Sequence, residues 1–334
     1  MLRWFGKRVA PWLVCGAALA PAAGQEPAML RVNTFPNATN LALYLGIANG
    51  VFEKRGIKID LRFTQNSEAQ REGLAKGEFE IAYSAVDNAV AMVELARQDV
   101  IIVAGGDTSM NEFMTRPEIR SLADLRGKTL VVDRPNTAYA LQAKKILKDA
   151  GLLEGRDYQI KSVGFTPSRI EAMEKHTDNA AAGMLNPPFS FAAKDKGLKS
   201  FGRAVDLIGP YQGGGLFVMR DWARANGPLL ERFLAAYIEA TRMALAPANR
   251  AQAISLLATR LKQDPRVAQR TYDEALAQSG FGLVPDARLD LAGFKAVLGL
   301  RAEIEGQWGG TAPPPERYYD LGYYDRALKL VGQP

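Results

Sequence analysis

A chain of 334 residues that is 47% hydrophobic and 23% charged can bury a sizeable core, and its length favours two compact units over one. The formal net charge is +6, but residues 1–24 hold Arg3, Lys7 and Arg8 and no acid, so the remainder has 39 Lys+Arg against 36 Asp+Glu, or +3. That remainder has no block of five like charges, no apolar run of membrane-spanning length and one histidine. This excludes a nucleic-acid or membrane surface, a multi-histidine metal centre and a Ser-His-Asp relay.

The N-terminus reads MLRWFGKR, then an apolar run over residues 9–20, then the small residues ALAPAAGQ. The run is shorter than the ~20 residues of a bilayer span, and the order is that of a secretory signal peptide cut after Ala22 or Gly24. The alternative is a buried or amphipathic N-terminal helix. Cys15 is the sole cysteine, and Trp12-Leu13-Val14 before it lacks the small residue of a lipid-attachment site. Removal of the signal leaves no thiol and no disulfide.

RVNTF, residues 31–35, predicts a strand with Val32 and Phe35 apolar, ended by Pro36. Asn37 and Thr39 are N-cap types before Leu41, Tyr44, Leu45 and Ala48, which have the spacing of a one-faced helix closed by Gly50. Ile57, Ile59, Leu61 and Phe63 then alternate with Lys58, Asp60 and Arg62 at the period of a strand. Two parallel strands joined by a helix form a right-handed βαβ unit. It puts the FPNAT loop at the carboxyl edge of its strand, beside the helix's free N–H groups, where ligands of open α/β sheets sit.

The same grammar repeats. Ser67-Glu68-Ala69-Gln70 fits a capping box; residues 79–85 read as a strand whose loop, through Asn88, opens a helix; DVIIVAGG reads as a buried strand. Residues 108–120 break the pattern and contain Pro117, which places a first crossing between two lobes there. In the second lobe TLVVD is a strand, Arg134-Pro135-Asn136-Thr137 is its loop, and Thr137 caps the helix with face Ala140, Ala143, Ile146 and Leu147. YQIKSV is a strand, Thr166-Pro167 opens a helix, and NAAAGML ends at Asn186-Pro187-Pro188-Phe189. The chain returns at YQGGGLFVMR, where Gly213 offers a hinge its backbone freedom, and is helical thereafter. The expectation is an α/β protein of two doubly wound lobes joined by a two-segment hinge. Residues 1–24 are the signal, 25–114 and 214–334 the first lobe with its helical C-terminal region packed on it, and 115–213 the second lobe.

Candidate binding residues cluster at strand carboxyl ends: Asn37 and Thr39, then Asn66, then Ser84, Asp87 and Asn88, and in the second lobe Arg134, Asn136 and Thr137. Each also fits a plain capping role, and capping leaves N–H groups free to bind. One helix N-terminus favours an anion by only ~0.3–1 kcal/mol when exposed, whereas micromolar affinity needs about 8 kcal/mol, so several loops must converge. Arg134 suits a carboxylate or sulfonate bidentately, or pairs with a neighbouring acid. Phe35 and Phe189 fit pocket walls or ordinary core, Gln212 stands at the return crossing, and His176 reads as an exposed helix-end residue.

The segments TFPNATNLALYLGIANGVFEKRGIKIDLRF, IAYSAVDNAV and SLADLRGKTLVVDRPNTAYALQAKKIL, in this order, resemble the nitrate, alkanesulfonate and thiamine-pyrimidine group of ABC-transporter solute-binding proteins. The resemblance covers residues 31–217 and is weaker beyond. It implies the type II periplasmic-binding-protein fold and a periplasmic monomer that needs no cofactor and no metal. Its ligand is a small organic anion, sulfonate or aromatic carboxylate, or a heteroaromatic molecule, and its partner an ABC permease. It also implies that the loop from Arg134 to Thr137 grips the ligand's anionic or polar end, although the family often has glycine-serine-threonine where this chain has Pro135-Asn136, and that Asn186 faces the ligand. A sensor presenting ligand to a membrane receptor has the same sequence features. The yeast-type pyrimidine synthases of thiamine biosynthesis share the fold and consume a lysine-bound pyridoxal phosphate and a histidine, but carry a cysteine-rich run that this chain lacks.

Overall fold

The computed structural model describes residues 26–277 and 282–331, so the expected signal segment and Cys15 lie outside the described residues. The first lobe begins with β1 (Ala28–Thr34), α1 (Leu41–Ala48), β2 (Ile57–Phe63), α2 (Ser67–Ala75), β3 (Ile81–Ala85), α3 (Asp87–Glu94) and β4 (Val100–Ala104). β1 and β2 pair in parallel from Ala28 opposite Ile57 to Thr34 opposite Phe63, the pairing that the βαβ reading predicts. α1 differs from its expected one-faced form: Leu41 to Gly46 are all buried, because the sheet covers one side and later helices the other.

The chain then crosses to a second sheet, built from β5 (Glu112–Thr115), β6 (Thr129–Val132), α4 (Ala138–Asp149), β7 (Gln159–Ser162), α5 (Thr166–Glu174), β8 (Ala180–Leu185), α6 (Phe189–Asp195), β9 (Lys199–Arg203) and α7 (Ala204–Ile208). It returns through β10 (Gly214–Met219) and continues as α8 (Arg220–Ala225), α9 (Gly227–Leu245), α10 (Arg250–Leu261), α11 (Pro265–Thr271), α12 (Leu291–Glu305) and α13 (Gly322–Val331). The sheet orders are β2-β1-β3-β10-β4 and β7-β6-β8-β5-β9. In each, one strand adjoining a crossing runs antiparallel between two others: β10 between β3 and β4, β5 between β8 and β9.

Two expectations change here. Glu112–Thr115, inside the stretch read as patternless, is a buried strand of the second sheet, so the crossing lies before residue 112 rather than after 114. Four residues buried on both faces show no alternation to read. The C-terminal helices also pack on both lobes, not the first alone. α9 covers α1, but α12 lies against α4 with Lys144 on Glu305 at 3.0 Å and Lys145 on Glu303 at 3.1 Å, and Arg270 of α11 meets Asp195 of α6 at 3.0 Å. No helix among the described residues is long and apolar enough to cross a membrane.

Candidate functional site

Between the lobes lies a cleft of about 850 Å³, open solvent at its mouth included. Phe35, Asn37, Thr39, Ser67, Ser84 and Asn88 line it from the first lobe. Asp133, Thr137, Tyr139, Phe165, Thr166, Arg169, Asn186 and Phe189 line it from the second, and Asp107, Ser109, Tyr211 and Gly213 from the crossings. Most stand at strand carboxyl ends, as open α/β sheets arrange their ligand sites.

Local chemistry sets the first-lobe wall. Asn37 caps the turn before α1, its Oδ1 accepting from Thr39 N at 3.1 Å and Thr39 Oγ1 at 2.6 Å. The expected Ser67–Gln70 capping box does not form, since Asn66 is the N-cap, with Oδ1 accepting from Ala69 N at 2.9 Å. That frees Ser67 and Gln70 for longer-range bonds. Ser67 N and Oγ both donate to Asp133 Oδ2, at 3.1 and 2.6 Å, which ties the first lobe to the second. Gln70 Nε2 donates to Asn33 O at 3.2 Å, its Oε1 accepts Ser84 Oγ at 2.5 Å, and Ser84 Oγ accepts Asn88 Nδ2 at 3.2 Å.

In the second-lobe wall Arg169 is 2% exposed and makes no ion pair among the described residues. Its Nη2 donates to Thr166 Oγ1 at 2.7 Å, its Nη1 to Gly164 O at 3.1 Å, and its guanidinium lies 5.1 Å from the centre of the Tyr139 ring. Nε has no partner. Burial lowers its pKa, against the opposing influence of Tyr139 and Asp133, so the charge is held at a cost. Thr166 Oγ1 in turn donates to Asn186 Oδ1 at 2.8 Å. The α5 N-terminus thus links Arg169 to Asn186 through one hydroxyl.

Asp107 holds the crossings together. Its Oδ1 accepts from Ser109 N and its Oδ2 from Gly214 N, both at 2.9 Å. Burial raises its pKa from 3.8 to about 6 in spite of these bonds and the Tyr83 hydroxyl. A Cβ on Gly213 would lie 2.3 Å from Asp107 Oδ1 and 2.4 Å from Ser109 N, and its φ is not positive. Close approach of the crossing segments, rather than the expected backbone freedom, is what requires glycine there. The folded protein keeps the Asp107 proton up to about pH 6 while the unfolded chain releases it near 3.8, so this group's contribution to stability falls as pH rises between those values and is constant above them. A carboxyl-carbon NMR titration should give Asp107 a midpoint near 6; a midpoint at or below 3.8 would show that the backbone donors outweigh burial.

Eight of the expected site residues line the cleft: Phe35, Asn37, Thr39, Ser84, Asn88, Thr137, Asn186 and Phe189. Thr137 is an N-cap by conformation only, its hydroxyl donating to Arg134 O at 2.9 Å. The other five lie elsewhere, each for a visible reason. Asn66 is used as a cap, and Arg134 Nε donates to Glu68 at 2.9 Å, the paired reading that the sequence left open. Asp87 is fully buried on Arg301, with Nε–Oδ1 at 2.5 Å and Nη2–Oδ2 at 2.8 Å. Asn136 contributes its carbonyl to Arg301 Nη2 at 3.0 Å. Gln212 is saturated by Asp107 O, Gly214 O and Asp290 N. The cation in the wall is therefore Arg169 and not Arg134.

Arg169, Asp107, Asp133, Tyr139 and Phe165 escaped the sequence reading. Asp133, directly before Arg134 at the end of β6, carried the same strand-end signal as its neighbour. Arg169, mid-helix in SRIEAM, carried none, because such cations are usually exposed. His176 is exposed with φ of 54° at a helix end, as expected. Among the described residues no group of three or more His, Cys, Asp or Glu could hold a metal ion.

The fold matches solved structures over most of its length. A Bordetella bronchiseptica protein aligns with TM-score 0.79 and 17% identity, covering 92% of this chain and 99% of that one. The periplasmic nitrate-binding protein NrtA of Synechocystis aligns with TM-score 0.73 and 12% identity over 92% and 90%. The alkanesulfonate-binding protein SsuA of Xanthomonas axonopodis, bound to MOPS, aligns with TM-score 0.68 and 20% identity over 87% and 96%. The two mixed sheets flanked by helices are the type II periplasmic-binding-protein fold. No curated protein sequence matches. Residues 37–251, more than half of the chain, match the family described as NMT1/THI5 like, and the chain belongs to that family.

Proposed function

We propose that this protein is the solute-binding component of an ABC-type importer, taking a small organic molecule with an anionic or strong acceptor group into the cleft and handing it to a permease. The observation that carries the reading is Arg169: a buried guanidinium that pairs with no carboxylate among the described residues, in a cleft walled by both lobes. An acid or sulfonate on it would supply the missing counter-charge through a bidentate geometry. Closure follows from the same arrangement. Ser67 and Asp133 bond across the cleft, and a ligand touching both walls stabilises the state in which that bond exists. Two structural neighbours, a nitrate-binding protein and an alkanesulfonate-binding protein, support an anionic class. The synthase reading needs a lysine and a histidine, and neither type stands among the residues lining the cleft, which favours binding over catalysis. Export to the periplasm rests on the signal-like segment 1–24 and on the family resemblance.

A thermal-shift screen of the chain from Gln25 tests this, using sulfonates, aromatic mono- and dicarboxylates, nitrate, pyrimidines and flavins. Ligand at 100 times its dissociation constant adds about 2.7 kcal/mol, which raises the midpoint measurably. Stabilisation by one class is the expected result. No shift with any class, in protein shown to be free of co-purified ligand, would contradict the reading.

A further inference from the structure

Four buried polar atoms of the cleft wall have no hydrogen-bond partner: the Tyr211 hydroxyl, which can donate or accept, and Arg169 Nε, Asp133 Oδ1 and Asn88 Oδ1. Such atoms are rare in folded proteins, and here they converge on one cavity from both lobes. The polarity of the last three is fixed by their neighbours. Asp133 Oδ2 already takes both Ser67 donors, which leaves Oδ1. Gln70 spends its amide N–H on Asn33, so its oxygen faces the Ser84 hydroxyl; Ser84 donates there and must accept from Asn88 Nδ2, which turns Asn88 Oδ1 free. Asp133 makes no ion pair with Arg169, although its charge acts on that guanidinium.

The wall therefore presents one unmet cationic donor, two unmet acceptors, one of them a carboxylate, and the Tyr211 hydroxyl, which adapts to either. A sulfonate, nitrate or plain carboxylate satisfies the donor alone and sets a second anion near Asp133. Phe35, Phe165, Phe189 and Tyr139 line the same cleft, a setting for a flat ring. Resting on the reading of this cleft as a ligand site, we infer that the cargo is an aromatic or heteroaromatic acid that also carries an amine-type N–H donor. The acid faces Arg169, and the N–H group faces Asp133 and Asn88.

Calorimetric titration of the purified protein with 3- and 4-aminobenzoate, benzoate and aniline tests this. An amino acid probe of matching geometry should bind at least about tenfold more tightly than benzoate or aniline, since a site built to accept an N–H rejects the analogue lacking it. Asp133→Asn should reduce the preference for aminobenzoate over benzoate to roughly threefold or less while benzoate still binds. Asn88→Ala, checked by circular dichroism, serves if the first variant does not fold. Benzoate binding as tightly as both aminobenzoates, or a preference untouched in both variants, overturns the inference. If none of the four probes binds but a class in the wider screen does, this inference falls and the importer reading stands. If nothing in either set binds, both fall.

Discussion

Replacing Arg169 by methionine is expected to raise the melting temperature of the ligand-free protein and to abolish its binding of anionic ligands. The two effects have one cause. A guanidinium that is 2% exposed is desolvated with no carboxylate bonded to it among the described residues, Asp133 offsets the cost only in part, and a well-packed apolar side chain in its place removes it. Replacing buried charge by apolar residues of similar volume is often neutral or stabilising by ~1–4 kcal/mol, and the loss of two hydrogen bonds, to Gly164 O and Thr166 Oγ1, works against the gain. With ligand bound the balance reverses, since deleting one member of a buried charge pair costs about 2–5 kcal/mol, roughly thirtyfold or more in affinity. Arg134→Met, at a partly exposed residue outside the cleft lining that is bonded to Glu68, should change affinity by about threefold at most. Paired thermal-shift and calorimetric measurements decide the matter. A fall in melting temperature with binding retained would make Arg169 a structural residue.

The largest loss of stability is expected from Arg301→Met. Arg301 and Asp87 are both 0% exposed, joining α12 to the start of α3 across 214 positions of sequence. Burial alone lowers the Arg301 pKa, but the charge and hydrogen bonds of Asp87 reverse this and hold it above the ordinary value. Removing the cation leaves a buried carboxylate uncompensated, a loss of about 3–5 kcal/mol. The double substitution Asp87→Leu with Arg301→Met should recover most of it. Arg301 Nη2 also holds the carbonyl of Asn136, so the single variant loosens the loop that leads to Thr137 in the cleft wall. Equilibrium urea unfolding of the single and the double variant measures this. A single variant within about 0.5 kcal/mol of the parent would show that the pair contributes nothing.

The parts of this molecule that were legible in the sequence are those that local physics decides. Alternation over Ile57–Phe63 and the cap at Asn37 placed a βαβ unit, and the βαβ unit placed a loop at a sheet edge, where the cleft lies. Side chains whose role depends on a distant partner were not legible. Asp87 and Asn88 are adjacent and chemically alike, and what separates a buried ion pair from a cleft wall is Arg301. Arg134 looked like the anion contact because it stands at a strand end, yet Glu68 faces it from the other lobe. The Ser67–Gln70 spacing matched a local cap while both side chains serve tertiary bonds instead. In each case the residue type was right for two jobs, and packing chose between them.

The central claim is that the two lobes close on a small molecule, and small-angle X-ray scattering with and without a saturating ligand from the screen tests it most directly. The account predicts a smaller radius of gyration on saturation, with a weaker response in Ser67→Ala, which lacks the hydroxyl bond to Asp133 Oδ2. An unchanged radius at proven saturation would contradict closure.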